Sequence, residues 1–141
     1  MKELHPIQLR EILIRKASVV INDHLVALAD KCDVHVSMQQ GSSTFTRDNP
    51  SFQVGLKAEA IPADTKEGDV PAFFIEIEFA GAFEVDYSGF LFEDLERWCQ
   101  VNAPIILMPF MREHLYGVAI RAGIRGVFLP LVIAKKPGEK L

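Results

Sequence analysis

Glu76, Glu78 and Glu84 are the residues whose spacing comes nearest to acid–base chemistry. Even spacing along an extended run puts all three on one strand face. Carboxylates two residues apart then lie about 6 to 7 Å from each other, near the separation of the carboxylate pairs that cleave glycosidic bonds. The same pattern marks the wet face of an antiparallel sheet, or an acidic contact surface for a basic partner, with no chemistry at all. The four histidines, His5, His24, His35 and His114, fall in different segments and carry no metal-binding spacing. Glu113 and His114 are adjacent, so on a helix they point about 100° apart and do not converge on one ion. Cys32 and Cys99 are too few for a disulfide framework and too distant for a Cys-x-x-Cys site, and read as buried thiols in a reducing compartment. Nucleophile-elbow, phosphate-loop, dinucleotide and paired-histidine zinc signatures are all absent. The expectation is a protein that is not an enzyme, with no catalytic residue, metal or cofactor.

The whole chain, residues 1–141, reads as one domain. Its 49% hydrophobic and 24% charged residues are those of a folded globular chain rather than a disordered one. A net charge of −4, with scattered basic residues, gives no general attraction for a phosphate backbone, so nucleic acid is not an expected partner. The apolar run from Ile105 to Met111 stops at Arg112-Glu113, far short of the roughly 20 residues a membrane span needs. The first residues, Met1 to Pro6, lack a signal peptide's apolar stretch. Cytoplasmic placement without membrane insertion is expected.

Residues 9–21 are rich in β-branched side chains but follow no clean period, and read as strand on composition. A connection, partly helical, follows to Lys31. Residues 32–38 then alternate, with Cys32, Val34, Val36 and Met38 on one face. Breakers at Gly41-Ser42-Ser43 and Asp48-Asn49-Pro50 bracket Phe45. A second alternating run directs Phe52, Val54, Leu56, Ala58 and Ala60 one way and Gln53, Lys57 and Glu59 the other. After a polar connection comes the strongest strand, where Phe73, Ile75, Ile77, Phe79, Phe83 and Val85 share a face. These runs predict an antiparallel sheet with one solvated side.

From Phe92 to Cys99 apolar residues fall at helical spacing, and a second helix opens at Asn102 with Pro104 in its first turn and a stop at Ala122-Gly123. Pro109 lies inside that helix, at a cost of roughly 3 kcal/mol for an ordinary interior position. Leu107, Phe110, Met111, Leu115, Val118, Ala119 and Ala122 wrap most of its circumference. A helix apolar on so many sides predicts burial twice, by its own sheet and by another subunit. Val127 to Ile133 forms a further apolar stretch, and Lys135-Lys136-Pro137-Gly138 is expected to fray.

Within this helix, Ala103 to Glu113 resembles the hallmark segment of the SecB export-chaperone family. Pro104, Ile106, Leu107, Pro109, Phe110, Arg112 and Glu113 match it, and Met108 stands where that family often has Phe. The run from Ala72 through Gly81-Ala82-Phe83 looks like the family's final strand. The resemblance implies an α+β fold, a four-stranded antiparallel sheet packed with a long helix in the C-terminal half. It also implies dimers that pair their sheets and join through the helices as a homotetramer, a dimer of dimers. It implies capture of unfolded precursor polypeptides in apolar grooves and hand-over to the SecA motor, without a cofactor. On the family's motor-binding sheet face the matching positions are Phe74 and Glu76. The family continues past its apolar C-terminal segment into another helix and a polar tail, which this sequence, ending at Leu141, is expected to lack.

Large apolar residues beside breaks or near the groove's end are the candidate client contacts: Phe45, Phe52, Phe92, Trp98 and Val127. Leu107, Phe110, Met111, Leu115 and Val118 are the candidate helix interface. A dedicated chaperone for one partner, such as a toxin–antitoxin pair, is the alternative to a general holdase. A small-molecule or enzymatic domain using Glu76, Glu78 or His114 ranks last.

Overall fold

The computed structural model describes residues 3–27 and 33–125. Strands β1 (Ile7–Ile21), β2 (Val34–Ser42), β3 (Ser51–Pro62) and β4 (Phe73–Val85) form one antiparallel sheet in the spatial order β1-β4-β3-β2. β4, last in sequence, is thus flanked on both sides, and β1 and β2 are the edges. A single helical turn, α1 (His24–Ala27), follows β1. After β4 come a 3-10 turn (Phe92–Asp94), α2 (Leu95–Val101) and α3 (Ala103–Arg121). This is the α+β architecture expected.

The inward half of the alternation in β3 and β4 holds residue by residue. Phe52, Val54, Leu56, Ala58 and Ala60 are buried on the inner face, with Phe73, Ile75, Ile77, Phe79, Phe83 and Val85 beside them on β4. β1 shows why its sequence follows no period. Its register against β4 shifts between Leu9 and Glu11 and again between Ile14 and Lys16. Each bulge adds one residue and exchanges the faces of all that follow, so the inward set runs Ile7, Leu9, then Ile12, then Val19 and Ile21. β2 extends beyond the expected break, because Gly41 and Ser42 remain paired with Gly55 and Val54.

α3 lies across β4, β1 and β3. Gly81 permits that approach: a Cβ there would sit 2.7 Å from Leu107 Cδ2, 2.9 Å from Phe83 Cε2 and 3.3 Å from Leu9 Cδ1. Pro104 occupies the first turn, where its missing N–H costs nothing, and Pro109 lies inside the helix without ending it. Pro109 and Ile105, whose carbonyl loses its N–H partner, are both exposed, so the gap in the ladder opens toward water. The helix stops as expected: Gly123 takes φ 81°, its N–H reaches the Ile120 carbonyl at 2.9 Å, and the Ile124 N–H reaches Ala119 at 2.9 Å. None of the helices among the described residues is long and apolar enough to cross a membrane.

Candidate functional site

The inward faces of β3 and β4 end in a cluster of rings. Phe52 stacks on Phe83 with centroids 5.3 Å apart, and Trp98 of α2 meets both edge-on, at 6.5 and 5.6 Å. Phe45, from the β2–β3 loop, closes on Phe52 edge-on at 5.5 Å. On the far side His5 stacks against Trp98 at 6.1 Å and tilts against Phe90 at 6.4 Å. Register makes the cluster: Phe52 and Phe83 are direct cross-strand partners, and α2 brings Trp98 onto them. Such contacts each add about 0.5 to 1.5 kcal/mol to the burial of the rings. Three of the expected client residues, Phe45, Phe52 and Trp98, are thereby brought together. Phe45 and Trp98 are half-buried, but Phe52 is only 4% exposed. Phe45, Phe83 and Trp98 surround its ring, so Phe52 is the covered member of the candidate client contacts.

The loop carrying Phe45 is held from its other side. Arg47 forms an ion pair with Glu93 and places its guanidinium 4.7 Å from the centre of the Phe92 ring. Phe92 in turn meets Tyr87 edge-on at 5.9 Å. The Tyr87 hydroxyl lies 3.2 Å from the Thr46 carbonyl and 3.3 Å from that of Asn49, either of which accepts its hydrogen. The Arg47 hydrogen bond holds the Glu93 carboxyl below its ordinary range, while burial pushes the Tyr87 hydroxyl above its own. Phe92, a predicted client residue, is thus half-buried under an arginine. Val127 lies outside the described residues.

The helix interface needs a larger correction. Leu107, Met111 and Leu115 are fully buried against the protomer's own sheet and have no surface to offer another subunit, and Phe110 and Val118 are half-buried at the margin. The outward arc is instead Ile105, Ile106, Pro109, Tyr116 and Ile120, with Tyr116 and Ile120 each about half exposed. The spacing 105, 109, 116, 120 is one helical stripe. A helix apolar nearly all round does not reveal which arc meets the sheet, so the sequence predicts double burial without assigning sides. Arg112 projects near this arc with its Nε buried and without a hydrogen-bond partner.

On the outer face of the sheet Glu76 is not the solvated residue its alternation predicted. It is 6% exposed, ion-paired with Lys16 and 3.5 Å from Lys57, which also lies 3.2 Å from Glu59. β4 is flanked on both sides, so long lysine side chains from β1 and β3 fold over its carboxylate. The Lys16 hydrogen bond is the main cause that holds the Glu76 carboxyl below its ordinary value, against the opposing effect of burial. Contact with Glu59 first, and attraction to Glu76 next, raise the Lys57 ammonium. Phe74 is half-buried on the same face, paired across the strands with Val20, which is half exposed.

The residues considered for chemistry do not assemble a reactive site. Glu78 is half-buried, and Glu84 is exposed and paired with Arg10 at 3.1 Å. His114 spends its Nδ1 on the Phe110 carbonyl at 2.7 Å, and its ring lies 5.9 Å from Phe79. Among the described residues, no group of three or more His, Cys, Asp or Glu side chains could hold a metal ion. Burial pushes the Cys99 thiol up to about 12, which leaves it protonated and inert at neutral pH.

Comparison with known proteins meets this geometry from three sides. The family model for SecB, preprotein translocase subunit SecB, matches residues 2–135. The protein-export protein SecB of Ehrlichia chaffeensis is 30% identical over 105 residues, 69% of this chain and 58% of that protein. Its counterpart in Ehrlichia canis is 25% identical over 121 residues, 82% of this chain and 65% of that protein. This chain thus spans about three-fifths of the length of these two relatives. The Mycobacterium tuberculosis SecB-like chaperone Rv1957, solved in complex with a ChAD peptide from the HigA1 antitoxin, shares the fold. It has a TM-score of 0.73 and 14% identity, over 92% of this chain and 93% of that one. A family match across nearly every residue, on a sheet of order β1-β4-β3-β2 crossed by a helix that keeps both prolines, places this chain in the SecB family.

Proposed function

We propose that this chain is an ATP-independent holdase that binds unfolded precursor polypeptides in the cytoplasm and passes them to SecA, assembled as a homotetramer. The observation that carries the reading is the ring cluster of Phe45, Phe52, Phe83 and Trp98 at one end of the sheet. An unfolded chain offers apolar side chains in no fixed order, and aromatic surfaces accept such groups without sequence preference. Membership of the SecB family supports the same role. Neither nucleotide nor metal is needed, because holding a chain unfolded is a binding equilibrium and not a reaction. Assembly through the outward stripe of α3 would remove Tyr116 and Ile120 from water, and pairing along the β1 edge would join the sheets.

Hand-over to the motor would use the outer face, at Phe74 and Glu76. The lysines over Glu76 bear on that step, since a basic partner must displace Lys16 or Lys57 to reach the carboxylate. The same observation favours a second reading, a chaperone dedicated to one partner and working without the motor, as the antitoxin-peptide complex of the mycobacterial neighbour illustrates for that protein. The test is the light-scattering mass of the purified protein on a sizing column, alone and mixed with a chemically unfolded, reduced polypeptide. A tetramer-sized particle that co-elutes with several unrelated unfolded chains, and ignores their folded forms, is the expected result. Binding of a single partner would select the second reading. A monomer that retains no unfolded chain would refute both.

A further inference from the structure

We propose that the β2–β3 loop is a latch over the aromatic cluster, fastened by Arg47, which an incoming polypeptide must release. The inference rests on the holdase reading and adds a regulation to it. Residues 44–49 leave the sheet at Ser43, whose N–H reaches the Gln53 carbonyl at 2.9 Å and whose hydroxyl accepts the Gln53 N–H at 2.9 Å, and return through a local turn in which Asn49 Oδ1 accepts the Ser51 N–H at 2.9 Å. Within this loop, Phe45 covers Phe52 on one side. The opposite side is fastened by the Arg47–Glu93 ion pair, the Arg47–Phe92 contact and the Tyr87 hydroxyl. All three fasteners lie in the segment from Tyr87 to Glu93, outside the cluster.

The physical consequence follows from where the fasteners sit. The ion pair is exposed, with side chains 67% and 59% accessible, so water and salt compete for it and it opens readily. The surface beneath is aromatic and dry, with Phe52 and Phe83 buried. Opening therefore uncovers apolar area that is costly to leave in water and favourable to cover with a client side chain. A weak fastener over a strongly apolar surface makes closed the resting state and lets any sufficiently apolar chain displace it. Loss of the fastener raises the binding-competent fraction and tightens apparent affinity by the same factor.

The test uses Arg47→Ala and Glu93→Gln with two readouts, affinity for a reduced, permanently unfolded polypeptide and hydrogen exchange of residues 43–53. Glu93→Gln separates the latch from a direct Arg47–client contact, because it keeps the arginine. Both variants are expected to exchange faster in 43–53 and to bind more tightly than the unaltered protein, by about two- to fivefold, the factor carried by an exposed ion pair, lost in both, or by the cation–π contact, lost in Arg47→Ala alone. Unchanged exchange would overturn the latch. Faster exchange with unchanged or weaker binding would overturn its competition with clients. If no form, the unaltered protein included, binds the polypeptide, the competition falls together with the holdase reading, and the exchange data still decide whether Arg47 fastens the loop.

Discussion

Two apolar surfaces of this molecule differ in how they are kept. The ring cluster at the end of the sheet is covered by a loop that the Arg47 guanidinium holds from outside the cluster, against Phe92, and its central ring, Phe52, is 4% exposed. The outward arc of α3 is bare, with Ile105, Tyr116 and Ile120 each about half exposed. A surface that a protomer covers for itself suits a contact made and broken repeatedly. A surface left open over several helical turns suits one that is satisfied once, on assembly. On the proposed function the apolar residues divide in the same way: the inward arc of α3 makes the fold, while the outward arc would make the assembly and the rings would receive clients.

Leu115→Ala should break the comparison most completely, because it removes the support common to both surfaces. Leu115 is fully buried, and truncation is expected to cost about 2 to 5 kcal/mol in chemical denaturation, with loss of assembly and client holding together. Gly81→Ala follows, at about 1 to 3 kcal/mol, since its methyl group would meet Leu107 and Phe83, both packed in place. The joint change Tyr116→Glu and Ile120→Glu sharpens the comparison: light scattering should report at most half the assembled mass, while protomer stability shifts by less than about 1 kcal/mol. Phe45→Ser removes the ring that covers Phe52, and should leave the mass unchanged while tightening capture of an unfolded chain, which would separate the two surfaces cleanly.

The smallest expected effect concerns the outer face. The Glu76 carboxyl is held below its ordinary value in the folded protein, so its pairing with Lys16 and Lys57 stabilises the fold above that ordinary value and is lost as pH falls through the depressed one. The difference in melting temperature between the unaltered protein and Glu76→Gln should therefore shrink on acidification from about pH 6 to about pH 3. A constant difference would show that the ion pairs contribute nothing.

The sheet was legible where each strand keeps one parity from end to end. In β3 and β4 every inward residue read from the sequence is buried. β1 was legible only as strand, because its two register shifts exchange faces within a single run and no periodicity survives them. The helix showed its ends through Pro104, Ala122 and Gly123, but not its sides, since an apolar residue facing the sheet and one facing a subunit look alike in sequence. Phe45, Phe52 and Trp98 were individually legible as large residues beside breaks. Their meeting was not, because it depends on the register that pairs Phe52 with Phe83 and on where α2 comes to rest. Arg47 carried no signal at all: its partners, Phe92 and Glu93, lie 45 and 46 residues further along.

Trp98 gives the most direct test of the central claim, that clients bind at the ring cluster. It is the single tryptophan of the chain and touches Phe52 and Phe83. Titration with a reduced, unfolded polypeptide that lacks tryptophan should change its fluorescence saturably, with the same midpoint as the suppression of that polypeptide's aggregation, and Phe45→Ser should shift both midpoints together. Suppression of aggregation while the Trp98 emission stays constant would contradict the account and place client binding elsewhere on the molecule.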